Sequence, residues 1–242
     1  MIMATSTSTA PKKVGKLSTS VGLKIQMAVS GLIFVLFVLV HMYGNLKMFN
    51  GPDAYNGYAQ FLRDVGYPLV PHEGVLWILR IVLLAALILH AHAAIVLWRR
   101  GKAARGPNAY KVKRGKKNQQ TYASRTMRWG GIILLLFIVW HILQFTTLSI
   151  SVGADDYSAL TPYDRMIAGF QPEVWWGYAI YFVAIGALCM HIRHGAWSAL
   201  QTLGWSNRYR EPVFNGIAIA IAAVIFIGFM APPTAIILGI IP

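Results

Sequence analysis

Seven histidines occur in this 242-residue chain, and six of them fall in long apolar stretches: His41, His90 with His92, His141, and His191 with His194. An imidazole in such a stretch is costly to bury, so it is kept there for a proton, a metal or a hydrogen bond across helices. The single cysteine, Cys189, excludes a disulfide framework, a cysteine-rich zinc site and an iron–sulfur cluster, since even a Rieske centre needs two thiolates. Metal chemistry in this chain would therefore rest on imidazoles.

The elements that must position these histidines are legible from hydropathy. Charged residues make up 12% of the chain against roughly 25% in a soluble domain, and the mean hydropathy is +0.53. Five apolar stretches, at about 26–46, 75–98, 129–149, 174–198 and 215–239, are each long enough to cross a hydrocarbon layer of ~30 Å as a helix. The expected fold is an all-α integral membrane protein of five transmembrane helices, four of them forming a haem-binding bundle on the argument below. The first stretch is too long for the core of a signal peptide, and no small-x-small site precedes NLKMFNGPD, so it is read as a retained span.

Lysine and arginine number four before the first span, eleven in 99–128 and two in 199–214, against two in 47–74 and one in 150–173. By the positive-inside rule the N-terminus is cytoplasmic and the C-terminus outside. This bias accounts for the net charge of +14 without nucleic acid, for which no helix-turn-helix or RNP pattern exists. Residues 1–23, rich in Ser and Thr, are expected to be a disordered tail, with 24–242 a single transmembrane domain. The basic loop RRGKAARGPNAYKVKRGKKNQQ is suited to anionic lipid and to docking a soluble partner. The Pro232-Pro233 pair is expected to kink or end the last helix near Ala231.

A helical rise of ~1.5 Å per residue converts position into depth. His41 then lies about 7 Å and His141 about 3 Å outside the midplane, while His90 lies about 5 Å and His191 about 9 Å inside it. Each layer takes one histidine from each of two helices, the arrangement that clamps an iron porphyrin from both faces. A lone zinc or copper would want three or four ligands in one layer. The pattern therefore favours two bis-His b-type haems, an outer one on His41 and His141 and an inner one on His90 and His191.

Within each doublet the helical angle decides. His92 lies 200° round the helix from His90 at ~100° per residue, so only one of them faces the interior. His90 has Ala86 and Ala94 four residues to either side, small enough for a flat macrocycle, where His92 has Ile88 and Val96. His191 has Ala187 and Gly195 at the same offsets. His194, Arg80 and Arg193 are candidate contacts for haem propionates or a quinone, since carboxylates want charge-assisted partners.

The runs KIQMAVSGLIFVLFVLVHMYGNL, GPDAYNGYAQFLR, LHAHAAIVLWRRGKAARGPNAY, WGGIILLLFIVWH and HIRHGAWSALQTLGW resemble the five-helix, di-haem cytochrome b subunit that anchors succinate:quinone oxidoreductase and quinol:fumarate reductase, over most of the chain from Lys24 to about Trp205. The resemblance implies a multi-pass subunit of the bacterial cytoplasmic membrane, with a flavoprotein and an iron–sulfur subunit as partners. Its chemistry would be electron transfer to quinone, because the dinucleotide fingerprint and cysteine run of the soluble chemistry are missing from this sequence. It implies the same four ligands by position. Some fumarate-reducing members have a Glu where this chain has Cys189, which favours succinate oxidation here.

Quinone contacts are not singled out by sequence. Tyr43, Tyr55, His72 and Glu73 are candidates on the outer side, and Ser30, Arg193, His194 and Trp205 on the inner. Two alternatives stand beside this reading: a free-standing di-haem cytochrome b, and a haem-free anchor or transporter whose histidines relay protons or bind a divalent metal.

Overall fold

The computed structural model describes the backbone of residues 18–105 and 122–242. It is helical throughout, with no strand among the described residues. The helices are α1 (Ser20–Leu46), α2 (Pro52–Asp64), α3 (Gly74–Arg105), α4 (Tyr122–Phe145), α5 (Pro162–Gly169), α6 (Trp175–Thr202) and α7 (Arg210–Ile237). Five of them, α1, α3, α4, α6 and α7, are long and apolar enough to cross a membrane. Many of their large apolar side chains, such as Leu36, Ile81, Leu136 and Ile227, are exposed, as they are in a bundle solvated by lipid rather than water.

In the bundle α1 and α6 pack together at the centre, α3 lies against α1, α4 against α6, and α7 against both central helices. Contacts along α1 and α3 set these two antiparallel. Arg100 near the end of α3 donates to Ser20 Oγ and to the Ser18 carbonyl, and Gln26 Nε2 donates to the Leu89 carbonyl at 2.8 Å. The small residues Gly44 and Gly228 allow close approach. A Cβ on Gly44 would meet the Tyr58 ring, and one on Gly228 would meet Met42 Sδ.

Helix ends differ from the hydropathy limits for local reasons. α1 starts at Ser20 because the Thr19 hydroxyl accepts from Gly22 N at 3.0 Å and caps it. α3 runs to Arg105, so the start of the basic loop is helical; residues 106–121 of that loop, and 1–17 of the N-terminal tail, lie outside the described residues. α4 stops at Phe145, four residues short of the expected 149. There the amides of Thr146 and Thr147 both bond the Ile142 carbonyl, and those of Ser149 and Ile150 turn back to Leu143 O, with Leu148 at φ 57°. Of the two outcomes expected of the proline pair, an end near Ala231 does not occur. The last helix continues through Pro232 and Pro233 to Ile237, both prolines buried and followed by the buried Ala235 and Ile236, so packing offsets the two lost backbone bonds.

Two short helices cover the bundle at the end where α1 finishes. α2 begins with Pro52 and Asp53, and α5 is capped by Thr161, whose hydroxyl accepts from Asp164 N. They pack on each other: Asn56 Oδ1 accepts from Tyr163 N at 3.0 Å, and the Tyr55 and Tyr163 rings meet edge to face at 6.1 Å. Beneath them Met48, Met166, Phe170, Tyr181 and Ile236 belong to one buried cluster. This cap closes the bundle beside the first pair of histidines.

Candidate functional site

Four helices bring four imidazoles together as two facing pairs. His41 on α1 and His141 on α4 stand 5.8 Å apart between ring centroids, with their planes at 81°. His90 on α3 and His191 on α6 stand 6.0 Å apart at 49°. The helices of each pair are not close neighbours: α1 packs chiefly on α3, α6 and α7, and α4 on α6. The imidazoles therefore meet from helices whose principal backbone contacts lie elsewhere.

Aromatic rings line the first pair. Phe37 stacks on His41 at 5.3 Å and Phe229 lies 5.8 Å from it, while Phe137 and Phe145 each lie 5.6 Å from His141. At the second pair Phe34 meets His90 edge to face at 6.4 Å. Such walls exclude water, which strengthens any charge or metal interaction inside.

The hydrogen bonds settle which nitrogen of two of these rings carries the proton. Ser30 Oγ lies 2.7 Å from the Gln26 carbonyl, which can only accept, so its proton is committed there and His90 Nδ1–H donates to Ser30 Oγ at 3.1 Å. At the other pair Trp140 Nε1, a donor only, bonds Gln144 Oε1 at 3.1 Å and so orients the amide. Tyr181 O–H also donates to Gln144 Oε1, at 3.0 Å, which leaves the Tyr181 oxygen to accept from His141 Nδ1–H at 2.9 Å. The Gln144 amide nitrogen donates to Tyr157 Oη at 3.3 Å, and Tyr157 O–H donates to the Val152 carbonyl at 2.8 Å.

Both rings are thus held as the Nδ1–H tautomer, with the Nε2 lone pair available to a metal. His191 Nδ1 is buried with no hydrogen-bond partner in the described chain, the mark of a group whose partner comes from outside it. No cluster of three or more His, Cys, Asp or Glu side chains able to hold a metal ion forms among the described residues. The ligand groups come in twos. Imidazole–metal bonds of about 2 Å on either side, plus half of each ring, match separations near 6 Å. These residues fit an iron porphyrin, which takes one axial ligand on each face.

The remaining histidines stand apart from the pairs. His92 is exposed on the outer surface of α3, and His194 is half-buried with Trp197 at 6.0 Å. Arg80 lies over the Trp77 ring at 4.8 Å and 3.8 Å from Glu73, whose other carboxylate oxygen takes Arg63 at 3.3 Å. Arg193 is half-buried, with no salt bridge among the described residues. Cys189 Sγ donates to the Ala222 carbonyl and ties α6 to α7.

The candidate quinone contacts are scattered. Tyr43 is exposed, with Lys47 Nζ 5.0 Å over its ring. Burial pushes the Tyr55 phenol up to about 12. His72 stacks on Tyr67 at 4.3 Å and bonds Asp64 Oδ1 at 2.8 Å. Hydrogen bonds from Gln60 and then His72 hold the Asp64 carboxyl below the usual carboxylate range. Trp205 is exposed, and Ser30 is committed to His90. At the end where α1 starts and α6 finishes, an open cleft of about 380 Å³ is lined by Lys24, Ser198, Gln201, Thr202 and Ser206.

Sequence reasoning missed Gln144, Tyr181 and Tyr157. The available signal was Gln144 itself, an uncharged polar residue in an apolar span three positions after His141 and four after Trp140. Searches among curated proteins and solved structures find no match. Residues 102–229, which take in His141, His191 and His194 but neither His41 nor His90, match the family model of the succinate dehydrogenase/fumarate reductase transmembrane subunit. With more than half its length matched and five apolar spanning helices, this chain belongs to that family, as a multi-pass membrane subunit of an enzyme complex.

Proposed function

We propose that this chain is the di-haem cytochrome b anchor of a succinate:quinone oxidoreductase. Electrons come from an iron–sulfur subunit, supplied in turn by a flavoprotein that oxidises succinate, and pass to membrane quinone. The observation that carries this reading is the facing of His41 with His141 and of His90 with His191 at 5.8 and 6.0 Å, on helices whose principal contacts lie elsewhere. Bound haem supplies a one-electron couple at each pair. The protein's part is to present Nε2 lone pairs of defined tautomer, to keep water away with Phe37, Phe137, Phe145 and Phe229, and to hold the pairs at different depths.

The orientation follows the charge bias: N-terminus and basic loop in the cytoplasm, C-terminus outside, in a bacterial cytoplasmic membrane. Residues 24–242 form one transmembrane domain. The cleft beside Lys24 and Thr202 opens on the cytoplasmic end and offers hydroxyl and amide groups to the carbonyls of a quinone, within reach of the inner pair's end of the bundle. Cys189 in place of a carboxylate favours succinate oxidation as the working direction.

The test is a dithionite-reduced minus oxidised spectrum with a pyridine haemochrome assay, on the complex purified through a tag on this chain. Two b-type haems per chain, with a flavoprotein and an iron–sulfur protein in the preparation, are expected. Absence of Soret absorption overturns the reading in favour of proton relay. A pure, active, haem-loaded chain without partners makes it a free-standing cytochrome.

A further inference from the structure

Among the described residues two polar side chains are fully buried, Ser30 at 2% and Gln144 at 1% exposure. Burying a primary amide between apolar helices carries a desolvation cost unless both its ends are bonded. Gln144 has both ends bonded, and every partner is a ring: Oε1 accepts from Trp140 and Tyr181, and Nε2 donates to Tyr157. The direction of each bond is forced, because Trp140 can only donate and the Val152 carbonyl at the far end can only accept.

We propose that Gln144, acting through Tyr181, is a positioning residue that fixes the tautomer and donor strength of His141 toward the outer haem. The proposal rests on the di-haem reading above. By accepting the Tyr181 proton, Gln144 obliges the phenol oxygen to accept from His141 Nδ1–H, so Nε2 keeps its lone pair. Remove that acceptor and the Tyr181 proton is free to turn toward His141 Nδ1, which favours the tautomer with Nε2 blocked. The bond from Nδ1–H also makes the imidazole a stronger donor, which stabilises ferric over ferrous iron.

The surroundings hold the relay in place. Tyr181 is packed edge to face on Phe137 and Phe170, each at 4.9 Å. Gly169 leaves room for it, since a Cβ there would lie 2.8 Å from Tyr157 Oη and 3.2 Å from Gln144 Nε2. The inner pair has no counterpart relay: His90 bonds a single serine directly, and His191 Nδ1 has no partner in the described chain.

The experiment is a potentiometric titration of both haems in the whole complex, with electron paramagnetic resonance of the ferric form, for wild type, Tyr181→Phe and Gln144→Leu. His41→Ala identifies which spectral component belongs to the outer pair. Hydrogen-bond partners of a metal-bound histidine are worth 10–100-fold in affinity. The expected result is that the outer component's midpoint rises, by about 59 mV for a tenfold loss of ferric preference in this one-electron couple, and its resonance shifts, while the inner component stays put. Gln144→Glu, which as a neutral acid keeps one acceptor and one donor, is expected to restore the wild-type values.

Two haems present with an unmoved outer component in Tyr181→Phe overturns the proposal, as does an equal shift of both components, which would report general loosening. Should Gln144→Leu fail to assemble, Tyr181→Phe decides alone, because it keeps the ring and its packing. A wild-type complex without haem overturns the di-haem reading itself and is thereby distinguishable from failure of this one.

Discussion

The His41 and His141 rings stand 5.8 Å apart and nearly perpendicular, at 81°, on helices whose backbones have their principal contacts elsewhere. His90 and His191 likewise stand on helices that pack mainly elsewhere, 6.0 Å apart but tilted at 49°. Because each imidazole has one opposite number, loss of a single ring empties one site only. His41→Ala or His141→Ala is expected to remove one haem and leave the other, and His90→Ala or His191→Ala to do the converse. His92→Ala is expected to leave both, since His92 is exposed. Haem per chain by pyridine haemochrome checks all five variants, and an empty inner site in His92→Ala alone would transfer the ligand role to it.

Ser30 orients His90 through a hydroxyl whose own proton is committed to Gln26 O. Ser30→Ala removes the acceptor for His90 Nδ1–H inside the bundle. The expected outcome is a 10–100-fold weaker hold on the inner haem, read as its selective loss when the complex is diluted in detergent. Ser30→Thr keeps the hydroxyl and is expected to retain it.

Gly153 has φ +73°, and a Cβ there would collide with the Ala168 carbonyl. Both the left-handed backbone and the lack of space oppose a side chain. Gly153→Ala is expected to lower stability by more than about 1 kcal/mol, read as a lower midpoint of thermal unfolding in detergent. Gly130→Ala, with open space around it, serves as the silent control.

Asp64 accepts from Gln60 and His72, and its pKa is depressed in the folded chain. A carboxyl of this kind contributes stability above its unfolded pKa, and the contribution fades as pH falls through the folded value. Wild type is therefore expected to lose thermal stability on acidification below about pH 4 more steeply than Asp64→Asn. Parallel pH profiles of the two melting temperatures would refute the assignment. The site is solvent-exposed, so the difference is expected to be small and sensitive to salt.

Which parts of this protein the chain's order of residues determines follows from what is local. Hydropathy is a property of consecutive residues, so the five spans were legible without a fold, and the layering expected of His41, His141, His90 and His191 rests on the constant helical rise. The angle of ~100° per residue separated His90, half-buried opposite His191, from His92, exposed on the outer surface. The amphipathic caps α2 and α5 went unread, because they are short and polar overall, so a reading for long apolar stretches passes over them, and they are stabilised by each other.

What needed the tertiary structure is everything that rests on partners distant in the chain. The passage of α7 through Pro232 and Pro233 runs against local propensity and is held by burial. Gln144 is orphaned in sequence and satisfied only when Tyr181, 37 residues on, and Tyr157, 13 residues on, fold over it. A lone polar residue in a span announces that a partner must exist. Which partner it finds, and hence which nitrogen of His141 keeps its lone pair, is decided by the packing of α4 against α6.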